Sequence, residues 1–132
     1  MQKGKRKDEC SWLYVTHELA DEKWMWKTLS EAKGDVSLRM ESMILHVCCR
    51  ALEASERLLM IARKIYKRAG IMSLKKISVE IMGSDFLEVP VVVKDKLAVD
   101  EAYFKLLVSE ANKKLKSNWE KLKKFEEKIS DL

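Results

Sequence analysis

Side chains that could bind a ligand or exchange a proton alternate along one apolar segment of the 132-residue chain. Residues 43–50 read Met-Ile-Leu-His-Val-Cys-Cys-Arg, and a strand with a period of two places His46, Cys48 and Arg50 on one face. Histidine exchanges a proton near neutral pH, and arginine holds a carboxylate or phosphate through two hydrogen bonds. The pattern predicts one polar wall of a pocket. The alternative, which spacing alone favours, is a half-buried histidine and an arginine paired with a nearby acid.

Other chemistry has weaker support in the sequence. His17, His46 and Cys48 would come from different elements and lack the spacing of zinc ligands, so we expect no metal site. Three cysteines, two of them adjacent, do not form a disulfide framework. The chain also has no GxGxxG, Walker, GxSxG or HExxH motif. The residues alone therefore do not identify a reaction.

Composition places the chain among ordinary globular proteins. Hydrophobic residues make up 47% and charged residues 36%, and the length fits a single domain over residues 1–132. No run of about eighteen apolar residues exists, so we expect no membrane-spanning helix and no membrane partner. Residues 1–7 are basic, but Asp8 and Glu9 follow where a signal peptide would be apolar. We expect a cytoplasmic protein.

The elements that would position these side chains are the strands and helices of an α+β fold. Alternating apolar residues predict strands over residues 11–17, 36–41, 43–49, 77–81 and 87–93. Helical spacing predicts helices over residues 21–33, 51–69 and from about 101 almost to the end. We expect a mixed sheet of about five strands with three helices, the last one long.

Turn residues predict how two pairs of strands connect. Gly83-Ser84-Asp85 indicates a hairpin between residues 77–81 and 87–93, and Pro90 puts the second of these strands at an edge or a bulge. Residues 36–41 and 43–49 are close enough in sequence to form a hairpin or one bent strand.

The distribution of charge indicates an anionic partner. The net charge is +5, and between residues 113 and 124 six lysines accompany one acid, Glu120. Such a helix can follow a phosphate backbone with Trp119 between the lysines. Trp119 also fits the apolar stripe of the helix, so packing in the core is the favoured interpretation, with the lysines forming a solvated face.

Four features in register carry a resemblance to a known family. They are a strand ending in Thr16-His17, the Leu-His-Val-x-Cys-Arg stretch, Gly70-Ile71 after the next helix, and Leu87-Glu88-Val89-Pro90 before the last helix. From Cys10 to about Leu122 the sequence resembles the C-terminal two-thirds of the tRNA wybutosine-synthesising protein 3 family. The resemblance implies a methyltransferase without the Rossmann fold. It would use S-adenosylmethionine to methylate N4 of a wyosine-type guanosine beside the anticodon of tRNA(Phe), in wybutosine biosynthesis.

The resemblance also implies site residues. His17 and His46 are the expected catalytic residues, and Arg50, Glu88 and Pro90 the expected cofactor-binding residues. Arg50 would hold the methionine carboxylate or a phosphate, and His46 would orient the target nitrogen.

One departure from the family is visible. Its members carry an N-terminal Ser-Ser-Cys-Ser-Gly-Arg stretch, which this sequence lacks. The chain is then expected to be a fragment, or one product of a split gene whose partner chain supplies the motif, or a non-catalytic remnant that binds tRNA or a partner. A further alternative is a structural domain whose long final helix forms a homo-oligomer.

Overall fold

The computed structural model describes residues 1–3 and 11–130. Its elements are β1 (Gln2–Lys3), β2 (Ser11–Trp12), α1 (Glu22–Ser30), β3 (Val36–Met40), β4 (Ile44–Cys48), α2 (Leu52–Ala62), β5 (Arg68–Ser73), β6 (Ser78–Met82), β7 (Leu87–Val93), β8 (Lys96–Leu97) and α3 (Glu101–Ile129). The predicted α+β class, with three helices and a long last one, is confirmed within the described residues. None of the described helices is both long and apolar enough to cross a membrane.

The strands form two antiparallel sheets, where one mixed sheet was predicted. The first has the order β2-β1-β3-β7-β8 and the second β4-β6-β5. Both predictions of neighbouring pairs are wrong, because β3 pairs with β7 and β4 with β6. The predicted turn at residues 83–85 lies between β6 and β7, which belong to different sheets. Its Gly83 amide donates to Met43 O at 3.0 Å. Local spacing indicates strands but not their partners, which long-range packing selects.

The chain divides into two compact units. Unit 1 comprises Met1–Glu41 and Phe86–Leu115, and unit 2 comprises Ser42–Asp85 and Lys116–Leu132. The core of unit 1 consists of Met1, Met25, Leu29, Val36, Leu38, Val91, Val92, Phe104, Leu107 and Val108. The core of unit 2 consists of Leu58, Leu59, Ala62, Tyr66, Val79, Ile81 and Phe125. The single-domain organisation stays a prediction.

Capping explains where α1 begins. The Asp21 carboxylate accepts from the backbone amides of Lys23 at 3.1 Å and Trp24 at 3.3 Å, as an N-cap aspartate does. Before this cap, only Ser11–Trp12 of the predicted strand 11–17 is a strand.

The second helix is shorter than its pattern predicts. It ends at Ala62, and Arg68–Ser73 forms strand β5 beside β6. The prediction that this helix runs to residue 69 is wrong, because pairing with β6 overrides the helical spacing of residues 63–69.

Candidate functional site

The β4-β6-β5 sheet of unit 2 has one apolar face and one chemically varied face. Leu45 and Val47 on β4 pack against the core with Val79 and Ile81 of β6. The opposite face, here called the outer face, carries the exposed side chains of Ile44, His46 and Cys48 on β4. The register places them opposite Met82, Glu80 and Ser78 on β6. The alternation read from the sequence of β4 is therefore present in the fold.

A histidine–glutamate pair lies in the middle of this outer face. His46 Nε2 is 2.8 Å from Glu80 Oε2, and the two side chains are 52% and 38% exposed. If the neutral imidazole donates from Nε2 to the carboxylate, Nδ1 keeps a free lone pair that can accept a proton. The carboxylate also stabilises the imidazolium that such a transfer creates. The pair can therefore take up a proton from a group bound next to Nδ1.

Sequence reasoning did not select Glu80 as a candidate site residue. Its alternation with Val79 and Ile81 marks it as an outward-facing strand residue. Its role depends on lying directly opposite His46, 34 positions away in sequence. That register is set by strand pairing, so no local signal identifies it.

Arg50 lies where β4 leads into α2. Its side chain is exposed, and Ala51 takes the extended N-cap conformation of the helix without a side-chain acceptor for the first-turn amides. The Cys49 amide bonds to Ile77 O at 2.8 Å, which holds this end of β4 in place. An exposed guanidinium beside helix amides that lack a side-chain cap is complementary to a carboxylate or phosphate.

Open space lies beside the histidine–glutamate pair. Gly70 on β5 is opposite Glu80, so Gly70, Glu80 and His46 form a row across the three strands. A Cβ added to Gly70 would meet no atom within 4 Å. The outer face therefore has room for a flat group next to the pair.

The other three predicted site residues belong to unit 1. His17 is exposed between β2 and α1, and Glu88 and Pro90 lie on β7. Glu88 Oε2 is 3.8 Å from Arg39 Nε on the neighbouring strand, and Arg39 Nη2 is 3.0 Å from Glu41 Oε1. The roles of the five predicted site residues, three in unit 1 and His46 and Arg50 in unit 2, stay predictions.

Pro90 has the position expected for a proline in a strand. It lies in a strand between β3 and β8 and faces Ser37, where the register with β3 shifts. Among the described residues β8 pairs with Val92 and Val93 alone, so the expectation of an edge or a bulge at Pro90 is met. The shift accommodates a residue that has no backbone N–H to donate.

Unit 2 also buries a tyrosine near an ion pair. Lys121 Nζ is 3.2 Å from Asp85 Oδ2, with the side chains 30% and 15% exposed. The Tyr66 hydroxyl is buried and has no hydrogen-bond partner in the described part of the chain. Burial raises the pKa of Tyr66 above its usual value, and the negative charge of Asp85 raises it further. This arrangement resists ionisation of the phenol.

In unit 2 the long helix α3 buries Asn118, whereas the sequence predicts that Trp119 is buried. Asn118 is buried, and its Oδ1 accepts from Ser42 Oγ at 3.1 Å and from the Met43 amide at 3.5 Å. Trp119 is 42% exposed, so the prediction that it packs in the core is wrong. Asn118 can be buried because its Oδ1 accepts hydrogen bonds from donors at the start of β4. A pattern of apolar residues does not reveal such a contact.

Comparisons with known proteins agree with the resemblance seen in the sequence. The family model described as "Methyltransferase TYW3" matches residues 1–131. A tRNA wybutosine-synthesizing protein 3 homolog of Xenopus laevis is 37% identical over 123 residues, covering 91% of this chain and 49% of the relative. An Archaeoglobus fulgidus protein named tRNA(Phe) 7-((3-amino-3-carboxypropyl)-4-demethylwyosine(37)-N(4))-methyltransferase is 37% identical over 90 residues, covering 67% of this chain and 46% of the relative.

A solved structure has the same fold. The PH1069 protein of Pyrococcus horikoshii superposes with a TM-score of 0.89 at 27% identity, covering 99% of this chain and 69% of that one. The chain spans about half the length of the curated relatives that it matches.

Proposed function

The chain belongs to the methyltransferase TYW3 family, and from this premise we propose that it takes part in S-adenosylmethionine-dependent methylation of tRNA(Phe). The substrate position is N4 of a wyosine-type guanosine beside the anticodon, in wybutosine biosynthesis. The observation that carries the proposal is the exposed His46–Glu80 pair, with Arg50 two residues beyond the end of the strand that carries His46. The name of the Archaeoglobus fulgidus relative specifies this reaction for that protein.

The end of β4 has residues that fit the cofactor. S-adenosylmethionine carries a carboxylate on its methionine part, and when bound it supplies an electrophilic methyl group. The Arg50 guanidinium would hold that carboxylate, assisted by the amides of the first turn of α2, which lack a side-chain cap. This fit depends on positive charge and hydrogen-bond donors, and the end of β4 provides both.

His46 would handle the proton of the target nitrogen. Methylation of an N–H group would form an N–C bond as the sulfur–methyl bond of the donor breaks, and it would release one proton, which a neighbouring base must accept. His46 Nδ1 is suited to this role while Nε2 is held by Glu80. The open space at Gly70 would accommodate the flat base beside the pair.

The first test is calorimetric titration with S-adenosylmethionine. Arg50→Ala is expected to weaken binding at least about tenfold, because charge-assisted hydrogen bonds contribute about 1.5–3 kcal/mol. Arg57→Ala is the matched control, since Arg57 is exposed on α2 and makes no hydrogen bond or ion pair in the described part of the chain. Binding should be repeated with a peptide containing the family's Ser-Ser-Cys-Ser-Gly-Arg segment.

Two results would contradict this proposal. One is equal affinity of the Arg50→Ala and Arg57→Ala variants. The other is the absence of binding by the wild-type chain both with and without the added peptide. Transfer of a radiolabelled methyl group to tRNA(Phe) carrying the demethyl intermediate then tests the reaction, with the Archaeoglobus fulgidus relative as positive control.

A further inference from the structure

We propose that Lys116, Trp119 and Lys123 form a contact surface for single-stranded RNA, on which an unpaired base stacks on the indole and flanking phosphates pair with the lysines. We call these three residues the tryptophan stripe. The inference rests on the proposed function, because it identifies where an RNA substrate would be held. It adds a binding surface that lies outside the outer face of the β4-β6-β5 sheet.

Helix geometry places the three side chains together. Residues three and four apart on a helix are neighbours, so Lys116 and Lys123 lie on either side of Trp119 on α3. Both lysines are exposed, and the tryptophan is 42% exposed. In the described part of the chain the indole makes no hydrogen bond and no ring contact. The indole is therefore partly open to solvent and does not stack on another described aromatic ring.

Lysines outnumber acids around the stripe. Between residues 113 and 127 there are six lysines and three acids, Glu120, Glu126 and Glu127. Lys113 pairs with Glu110 and Lys121 pairs with Asp85, each at 3.2 Å. Lys116 and Lys123 form no ion pair with any described residue. Positive charges without acid partners favour an anionic ligand.

The combination of an aromatic ring and flanking cations favours RNA over a protein surface. Stacking on an aromatic side chain is available to every base, while lysines hold the backbone phosphates. An acidic protein surface would pair with the lysines but has no comparable series of planar rings. Fully paired RNA hides the faces of its bases, so the stripe should prefer unpaired nucleotides.

A second tryptophan provides a matched control. Trp24 on α1 is 53% exposed, but its ring contacts Tyr14 at a centroid distance of 5.2 Å. It also follows Asp21 and Glu22, which repel phosphates. Trp24 therefore has the same side chain and similar exposure, but its ring packs on Tyr14, and Asp21 and Glu22 offset the charges of Lys23 and Lys27.

The test is fluorescence anisotropy with a labelled RNA hairpin whose loop has the tRNA(Phe) anticodon-loop sequence, across a series of KCl concentrations. Trp119→Leu is expected to weaken binding about tenfold, within the range measured for loss of one stacked base. Trp24→Leu should bind as the wild type does. Lys116→Ala/Lys123→Ala should lower the slope of log K against log salt by about 1.4, since each phosphate contact on a single strand contributes about 0.7.

Several outcomes would overturn the inference. They are wild-type binding that does not prefer the loop over fully paired RNA, equal losses for Trp119→Leu and Trp24→Leu, and a salt slope that the double lysine variant leaves unchanged. A change in oligomeric state caused by Trp119→Leu, with RNA affinity retained, would assign the stripe to a protein interface instead.

Calorimetry separates this inference from the proposed function. Trp119→Leu should retain wild-type affinity for S-adenosylmethionine, because the cofactor is proposed to bind at Arg50. Loss of RNA binding alone would support the stripe even if the cofactor titration failed. Normal cofactor binding with unaffected RNA binding would overturn the stripe and leave the proposed function standing.

Discussion

Units 1 and 2 contain the same kinds of parts, yet their sheets present different ion pairs to solvent. In unit 1, Arg39 on β3 faces Glu88 on β7. In unit 2, His46 on β4 faces Glu80 on β6 in the same antiparallel arrangement. An arginine stays charged at any physiological pH, whereas a histidine gains and loses its proton near neutrality. The same cross-strand placement thus carries an arginine pair at 3.8 Å in unit 1 and a histidine pair at 2.8 Å in unit 2, and only the second can accept a proton.

The difference indicates where chemistry is to be sought. Exposed salt bridges contribute about 0–1 kcal/mol to stability, so the His46–Glu80 pair, with side chains 52% and 38% exposed, is not needed to hold its sheet together. The pair in unit 2 has two further features nearby, the open space at Gly70 and the start of α2 beside Arg50. Substitutions in the two units can therefore test whether unit 2 carries the reaction.

Replacing the histidine should have the largest effect. His46→Ala is expected to lower the rate of methyl transfer by about 10²–10⁴-fold, the usual contribution of a positioned acid or base. The measurement is single-turnover transfer of a labelled methyl group to tRNA(Phe). Arg39→Ala in unit 1 is the control and should retain a rate near that of the wild type. Similar losses in the two variants would remove the distinction between the units.

Replacing the carboxylate should have an intermediate effect. Glu80→Gln keeps a hydrogen-bond acceptor opposite His46 but removes the charge that stabilises the imidazolium. We expect the rate to fall about tenfold, since a charge-assisted hydrogen bond is roughly twice as strong as a neutral one. The same assay measures it, with circular dichroism to verify the fold. A wild-type rate for Glu80→Gln would show that the charge plays no part.

Two asparagines of α3 offer a comparison of stability. Asn112 in unit 1 accepts from the Ala20 amide at 2.8 Å and donates to Ala20 O at 3.3 Å, while Asn118 serves the start of β4 in unit 2. Asn112→Ala and Asn118→Ala should each lower the free energy of unfolding by about 1–3 kcal/mol, because partly buried groups lose their partners. Urea denaturation measures this. The exposed Ser109→Ala is the control, and equal stability of all three variants would contradict the expectation.

Removing one phenol oxygen should have the smallest effect. Since the pKa of Tyr66 is raised in the folded chain, a tyrosine in the unfolded chain ionises first as pH rises above about 10. Tyr66 thus makes the free energy of unfolding fall in that range. Tyr66→Phe should remove this contribution and change stability near pH 7 by less than about 1 kcal/mol, because the hydroxyl is unpaired.

Urea denaturation at neutral and alkaline pH tests this sign. The control is Tyr103→Phe, which alters an exposed tyrosine. If Tyr66→Phe and the wild type lose stability equally as the pH is raised from neutrality to above about 10, the expected contribution of Tyr66 to the pH dependence is contradicted.

The sequence predicts correctly those features that depend on residues close together within one strand or helix. The alternation of β4 can be read directly, because a strand places every second side chain on the same face. The Asp21 cap can also be read, since its hydrogen bonds reach only two and three residues along the chain. For the same reason the face of His46 could be assigned without a structure, whereas Arg50 lies beyond the end of β4 and its predicted face stays a prediction.

Sequence reasoning failed where a distant partner decides the outcome. Residues 63–69 continue a helical pattern, but pairing of Arg68–Ser73 with β6 makes a strand of this segment. Glu80 gains its significance only from its position opposite His46. Trp119 fits an apolar stripe, yet it is 42% exposed, while Asn118 is buried and accepts hydrogen bonds from Ser42 and Met43. Each of these outcomes depends on contacts between residues far apart in sequence.

The most direct test of whether unit 2 holds the cofactor is a titration of the ¹⁵N-labelled chain with S-adenosylmethionine, followed by amide chemical shifts. We predict that the largest shifts occur in unit 2, at the end of β4, the first turn of α2 and the strands around Gly70 and Glu80. Shifts concentrated in unit 1, around His17, Glu88 and Pro90, would contradict this prediction and assign the cofactor to the other unit.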